Sequence, residues 1–118
     1  MEAKLLANTI GKIVFTKKGY DVKIFDLRKL TAFADFFVIC SADSDTQVKS
    51  IADEIDHEMS KQGIKCKHIE GYNALEWVLL DYFDVVVHVF KQETRLHYNL
   101  EKLWGDAPVI ALVDSENE

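Results

Sequence analysis

The fold of this chain is decided by residues 76–90, EWVLLDYFDVVVHVF. Two apolar runs, Glu76–Asp81 and Asp84–Phe90, are separated only by the pair Tyr82-Phe83. Short runs of aliphatic, β-branched and aromatic residues at this separation predict two antiparallel strands joined by a hairpin. We therefore expect the rest of the chain to be organised around this ribbon.

Both faces of the predicted hairpin are apolar. A turn at Tyr82-Phe83 would put Leu80 opposite Val85. One face then carries Val78, Leu80, Val85, Val87 and Val89, and the other carries Trp77, Leu79, Val86, His88 and Phe90. Monomers seldom leave a large apolar patch bare, so the second face is either an interface or the packing surface of a helix. The pattern alone leaves both alternatives open.

The turn departs from the usual chemistry of tight hairpins. Two-residue hairpin turns favour Gly or Asn because their φ angles are positive, and Tyr82-Phe83 suits this poorly. Either the loop is longer than two residues or backbone strain is tolerated there. In either case we expect an aromatic protrusion at the hairpin tip.

The remaining elements follow from hydrophobic periodicity and from capping residues. The order α-β-β-α-β-β-β-α predicts an α/β domain with a mixed sheet of about five strands and flanking helices. Pro108 then begins an extended C-terminal segment. The helices are expected at Ala3–Lys18, Thr46–Gln62 and Gln92–Trp104, and the strands at Val22–Leu27, Asp35–Cys40, Lys65–Glu70, Glu76–Asp81 and Asp84–Phe90.

Composition predicts one cytoplasmic domain over residues 1–113, followed by an acidic disordered tail at 114–118. No window approaches the length of a membrane span, and no signal peptide is evident. The net charge of −6 argues against broad nucleic-acid binding. Residues 1–30 nevertheless carry seven cations against three acids, which leaves open whether this region touches RNA or is a solvated helix face.

Motifs for catalysis or metal binding are missing from the sequence. The five glycines form no phosphate-binding loop, and the four histidines form no ligand motif. Two carboxylates, Asp43 and Asp45, follow the predicted central strand, and Asp84 flanks the hairpin turn. A metal-dependent nucleotidyl transferase would use such groups, but it also needs a glycine turn for the triphosphate. We therefore expect no catalytic residue, metal or cofactor, and we keep nucleotide binding as the less favoured alternative.

Sequence blocks in most of the chain carry a family resemblance. They are ADFFVICS at 34–41, QV and IAD between 47 and 53, EG at 70–71 with WVLLDYFDVVVHVF at 77–90, ETR and YNLEKLW between 93 and 104, and DAP at 106–108. In these blocks and in their order the chain resembles the ribosomal silencing factor family, which includes the Iojap-related proteins.

The resemblance implies a nucleotidyltransferase-like fold without that superfamily's catalytic residues. It also implies a translational repressor that binds protein fourteen of the large ribosomal subunit and sterically blocks joining to the small subunit. Organelle members of the family are tied to ribosome assembly, so an assembly factor on the large subunit remains an alternative. Family members often form homodimers.

The resemblance also implies a partner-binding surface on the hairpin. Motif positions point to Trp77, Leu79, Asp81 and Tyr82, and we add Phe83 at the tip and His88 on the same ribbon. Phe83 departs from the family pattern, which usually has glycine there, and this puts the turn geometry in question. The family also tends to have glycine where Ala42 stands.

Overall fold

The computed structural model describes residues 1–114 and shows the expected mixed α/β architecture. The sheet has six strands in the order β3-β4-β5-β2-β1-β6. Strands β2 and β5 are parallel, and the other neighbouring pairs are antiparallel. The elements are α1 Ala3–Thr16, β1 Tyr20–Asp26, β2 Phe36–Ala42, α2 Asp45–Lys61, β3 His68–Glu70, β4 Trp77–Asp81, β5 Val85–Lys91, α3 Gln92–Tyr98, α4 Leu100–Leu103 and β6 Val109–Ala111.

One prediction about the C-terminal part needs correction, and another falls mostly outside the described residues. The expected strand count of about five was one too low, because part of the extended segment after Pro108 pairs with β1 as the edge strand β6. A three-residue edge strand is too short to show a periodic pattern. Of the predicted acidic tail, 115–118 lie outside the described residues.

Helices α1 and α2 pack on one side of the sheet. The Ser44 hydroxyl accepts the Gln47 backbone N–H (3.2 Å) and so caps the start of α2. The apolar stripes of both helices are buried against aliphatic strand residues. We call this side of the sheet the covered face; its strand residues are Val22, Ile24, Phe36, Val38, Cys40, Ala42, Val78, Leu80, Val85, Val87 and Val89.

The hairpin has the predicted faces but a different register. Leu80 lies opposite Val87, and Asp81 lies opposite Val86, so the loop is longer than two residues, which is one of the alternatives that the sequence left open. The Tyr82 N–H donates to the Val85 carbonyl (2.9 Å) and closes that loop. Because side chains alternate with a period of two, a shift of two residues leaves every side chain on its predicted face.

The expected single helix over Gln92–Trp104 is broken into α3 and α4. Asn99 adopts the left-handed conformation between them (φ 48°, ψ 51°). The buried Arg95 guanidinium holds both helices to the sheet: it donates to the Ser41 hydroxyl (2.8 Å), and it pairs with Glu101 of α4 (3.0 Å). The helices therefore lie on the sheet side opposite α1 and α2.

Candidate functional site

The second side of the sheet is only partly covered. Helices α3 and α4 bury its central part, where Ile39 and Phe90 are fully enclosed beside Leu100 and Trp104. Other strand side chains of this side remain half-exposed. We call this side the aromatic face; its ring-bearing and aliphatic residues on β2, β4 and β5 are Phe37, Ile39, Trp77, Leu79, Val86, His88 and Phe90. Helix packing, one of the two alternatives left open by the sequence, therefore accounts for part of this face, and the rest is half-exposed.

Trp77 lies at the centre of a group of stacked rings. Its indole stacks on Phe90, with ring centroids 4.7 Å apart, and is flanked by Tyr98 of α3 at 5.1 Å. Its Nε1–H donates to Nδ1 of His88 (3.1 Å). The half-buried indole is therefore held in one orientation by contacts on several sides, as a preorganised binding residue should be.

His88 lies beneath this layer, with only 3% of its surface exposed. Burial lowers its pKa to about 3, because desolvation penalises the charged imidazolium. Its ring contacts Phe37 edge-on, with centroids 4.5 Å apart. His88 is thus a neutral side chain that supports the exposed layer.

Gly71 fixes the start of β4 and thereby the position of Trp77. Its φ is +79°, which disfavours any other residue, and a Cβ there would collide with the Trp77 carbonyl oxygen. The loop before β4 can therefore pass close to the strand only with glycine at this position.

The structure places the six predicted site residues in four different environments. Trp77 and Leu79 are half-buried on the aromatic face, and Asp81 lies on the same side, where its carboxylate accepts the Phe83 N–H (2.8 Å). Phe83 is 63% exposed at the hairpin tip with φ +77°, and the Lys67 ammonium lies 4.1 Å from its ring centroid. His88 is buried below Trp77.

Tyr82 does not form the exposed aromatic tip that the sequence suggested. It is 6% exposed and packs in the core of the covered face. The three-residue loop between β4 and β5 places the Tyr82 side chain under the sheet and leaves Phe83 as its exposed aromatic residue. Burial raises the pKa of the Tyr82 hydroxyl, which lies without a hydrogen-bond partner.

Two aromatic residues at this surface were missed by the sequence reasoning. Phe37 pairs with the correctly predicted Val86 in the β2–β5 ladder, and Trp104 follows α4 and contacts Phe37. Alternation within 34–41 does not show which side of the sheet Phe37 faces. To place it on the Trp77 side, the pairing of β2 with β5 must be known. Trp104 had no periodic signal because the break at Asn99 interrupts its helix.

The carboxylates of the nucleotidyl-transfer hypothesis do not come together. Asp43 and Asp45 follow the end of β2, whereas Asp84 precedes the parallel strand β5, so the length of a strand, about 20 Å, separates them. Asp43 accepts the Tyr20 hydroxyl (2.6 Å), and Asp45 pairs with Lys91 (2.9 Å). Within residues 1–114, no three His, Cys, Asp or Glu side chains are grouped so that they could hold a metal ion.

The basic N-terminal region is partly neutralised by its own contacts. Lys23 pairs with Glu101 (3.3 Å), and Arg28 pairs with Asp26 (2.7 Å). The remaining cations lie on α1 and in the loops at either end of β1. Across residues 1–114, no helix is both long and apolar enough to span a membrane.

Fold and surface together define a small α/β domain with a preformed, partly open aromatic sheet face. The family model described as "Ribosomal silencing factor during starvation" matches residues 1–118. The chain therefore belongs to this family, as its sequence motifs suggested.

Individual relatives agree with this assignment. The chain is 48% identical over 96 residues to the ribosomal silencing factor of Halalkalibacterium halodurans, covering 81% of this chain and 82% of the relative. It is 47% identical to that of Bacillus subtilis, covering 81% of each. The chloroplastic protein Iojap of Zea mays is 32% identical over 94% of this chain and 48% of its own length. A crystal structure of a Chromobacterium violaceum protein superposes with a TM-score of 0.86 at 33% identity, covering 89% of this chain and 88% of that one.

Proposed function

We propose that this protein is a cytoplasmic translational repressor that binds the large ribosomal subunit through its protein fourteen. Bound there, it sterically blocks association with the small subunit. The family assignment supports the ribosomal role. The observation that carries the proposal of a binding site is the half-open aromatic face around Trp77, which is held in place by its neighbours and only partly covered by α3 and α4.

The composition of this face is that of an interaction surface. Trp and Tyr dominate the residues that contribute most to binding energy at protein interfaces, and here Trp77 and Tyr98 lie in contact. Leu79 lies beside them on the same face, and the exposed Phe83 extends the surface to the hairpin tip. Such a patch can nucleate an interface of the standard size, about 1,600 Å² in total.

The six predicted residues take different parts in this proposal. Trp77, Leu79, Asp81 and Phe83 are the groups that a partner can reach directly. His88 supports Trp77 from below, and Tyr82 anchors the loop from the covered face. The overall charge of −6 steers the protein toward a basic ribosomal partner.

Co-sedimentation with separated ribosomal subunits tests the proposal. Wild-type protein should pellet with the large subunit, should not pellet with the small one, and should prevent the two from joining. Trp77→Ala should weaken large-subunit binding by about 30-fold, equivalent to about 2 kcal/mol. Leu79→Ala, on the same face but with a smaller side chain to lose, should weaken it less.

Phe33→Ala is the matched control, since Phe33 is an aromatic side chain 92% exposed in the loop between β1 and β2. Its removal should leave binding unchanged. If wild type pellets with neither subunit, the proposed function is wrong. If Trp77→Ala and Leu79→Ala bind as wild type does, the ribosome-binding surface lies elsewhere on the molecule.

Homodimer formation is also part of the proposal, and it can be separated from ribosome binding. A dimer that uses the aromatic face would compete with the ribosome, so dilution should raise the apparent affinity for the large subunit. An affinity independent of protein concentration would show that the dimer, if formed, leaves this face free.

A further inference from the structure

Two N–H groups associated with the aromatic face are buried without a hydrogen-bond partner: Nε2 of His88 and Nε1 of Trp104. A buried donor left unpaired costs about 1–3 kcal/mol, and most buried polar groups in native proteins are paired. Tyr82, whose hydroxyl is also unpaired, lies on the other side of the sheet. The coincidence of two such donors beside one half-open surface therefore requires an explanation.

The contact with Trp77 determines which nitrogen of His88 carries the proton. An indole N–H can only donate, and it lies 3.1 Å from Nδ1, so Nδ1 must accept. In the neutral ring the proton is then on Nε2, which makes Nε2 a donor. Because burial holds the pKa of His88 near 3, the ring keeps this neutral form at physiological pH.

The two donor rings share one neighbour, Phe37. Its ring contacts His88 with centroids 4.5 Å apart and Trp104 with centroids 5.8 Å apart, edge-on in both cases. Phe37 is itself half-exposed. One side chain at the surface thus packs against both rings that carry an unpaired donor.

We propose that Phe37 covers a hydrogen-bonding site, and that the bound partner displaces its ring and places a main-chain carbonyl oxygen against Nε2–H of His88. The inference rests on the function proposed above and names the group that the partner supplies. Trp104 offers a second donor to the same partner segment. Trp77 then has two roles: it contacts the partner, and it fixes the His88 proton on the nitrogen that must donate.

The surroundings favour an uncharged acceptor over a carboxylate or phosphate. Burying an anion costs several kcal/mol unless a cation compensates it. Two cations packed on this side of the sheet, Lys23 and Arg95, are both already paired with Glu101. An amide carbonyl has no such requirement and hydrogen-bonds well to a neutral imidazole.

The test compares His88→Phe and His88→Gln with wild type. His88→Phe keeps a ring but removes the donor, and we expect about tenfold weaker co-sedimentation with the large subunit. Its thermal unfolding midpoint should stay near that of wild type. The variant leaves the Trp77 N–H without its acceptor, but it also removes the unpaired Nε2–H donor, and these two effects on stability should offset each other. His88→Gln retains a side-chain N–H donor and should recover part of the affinity.

A second readout follows the donor itself by nitrogen NMR of the His88 ring. The free protein should show the proton on Nε2, and adding isolated large-subunit protein fourteen should shift this proton downfield and slow its exchange. This measurement tests the proposed hydrogen bond from Nε2–H even if His88→Phe fails to fold. A proton on Nδ1, or an unchanged Nε2 signal on binding, overturns the inference.

The outcomes separate this inference from the proposed function. If wild type binds the large subunit and His88→Phe, still folded, binds equally well, the hydrogen bond is absent and the proposed function stands. If wild type does not bind, both are overturned.

Discussion

The two faces of the sheet are made by the same strands but differ in chemistry. The covered face is largely aliphatic, and its strand residues are almost completely enclosed by α1 and α2. The aromatic face is built from large rings, contains the buried polar residues His88, Ser41 and Arg95, and is only partly covered. Close-packed aliphatic chains supply stability, whereas rings with polar edges supply directional contacts. The covered face therefore contributes more to stability, and the proposed binding surface lies on the aromatic face.

Two adjacent leucines of β4 test this division of roles most directly, in which the covered face supplies more of the stability than the aromatic face does. Leu80 is fully buried on the covered face, whereas Leu79 is half-exposed on the aromatic face. Leu80→Ala should lower the free energy of unfolding by about 2–5 kcal/mol because it leaves a cavity. Leu79→Ala should lower it by about 1 kcal/mol or less. Urea unfolding of both variants measures the difference, and equal losses would contradict the division.

Gly71 links the loop before β4 to the position of Trp77 on the aromatic face. Gly71→Ala combines an unfavourable φ of +79° with the collision against the Trp77 carbonyl, so it should cost about 3 kcal/mol. Gly63→Ala is the matched control: its φ is +76°, but an added Cβ meets nothing within 4 Å. It should cost only about 1 kcal/mol. If the two variants unfold at the same urea concentration, close approach to Trp77 is unimportant.

Acid should destabilise the protein through the aromatic face. Below the ordinary pKa of 6.5 the unfolded chain protonates His88, whereas the folded protein does not until its pKa of about 3. Stability should therefore fall with decreasing pH by up to about 1.4 kcal/mol per pH unit. On the covered face, burial raises the pKa values of Cys40 and Tyr82, which stay neutral in acid.

Unfolding measured between pH 6.5 and 4.5 isolates this contribution. The carboxyl groups whose pKa is lowered, such as Asp26 and Glu76, lose their stabilising effect mainly at lower pH. In His88→Phe, the free energy of unfolding should fall less steeply with decreasing pH, because the contribution of His88 is missing. Parallel pH profiles for the variant and wild type would mean that His88 is protonated in the folded protein.

How much the sequence could predict follows from what its patterns encode. Alternation within 76–90 predicted both hairpin faces correctly, because side-chain direction depends only on the parity of position. Parity cannot detect a register shift of two residues, so the sequence left the loop length open and the burial of Tyr82 was missed. The resemblance identified the family, whereas the ring layer depends on β2 lying beside β5, a long-range pairing that no local pattern contains. Arg95 gave no signal because its partners lie on β1, β2 and α4.

The smallest effect on stability is expected at the hairpin tip, where Phe83 stands in place of the glycine that the resemblance leads us to expect. Phe83→Gly relieves a positive φ worth about 1–2 kcal/mol, but it loses the contact with Lys67 and adds freedom to the unfolded chain. These opposing terms should leave the free energy of unfolding within about 1 kcal/mol of wild type.

Affinity for the large subunit should nevertheless fall about threefold if the exposed ring extends the aromatic face, and Phe33→Ala should show no such fall. An unchanged affinity would place the limit of the binding surface at Leu79, and would mean that Phe83 is tolerated at the tip without contributing to binding.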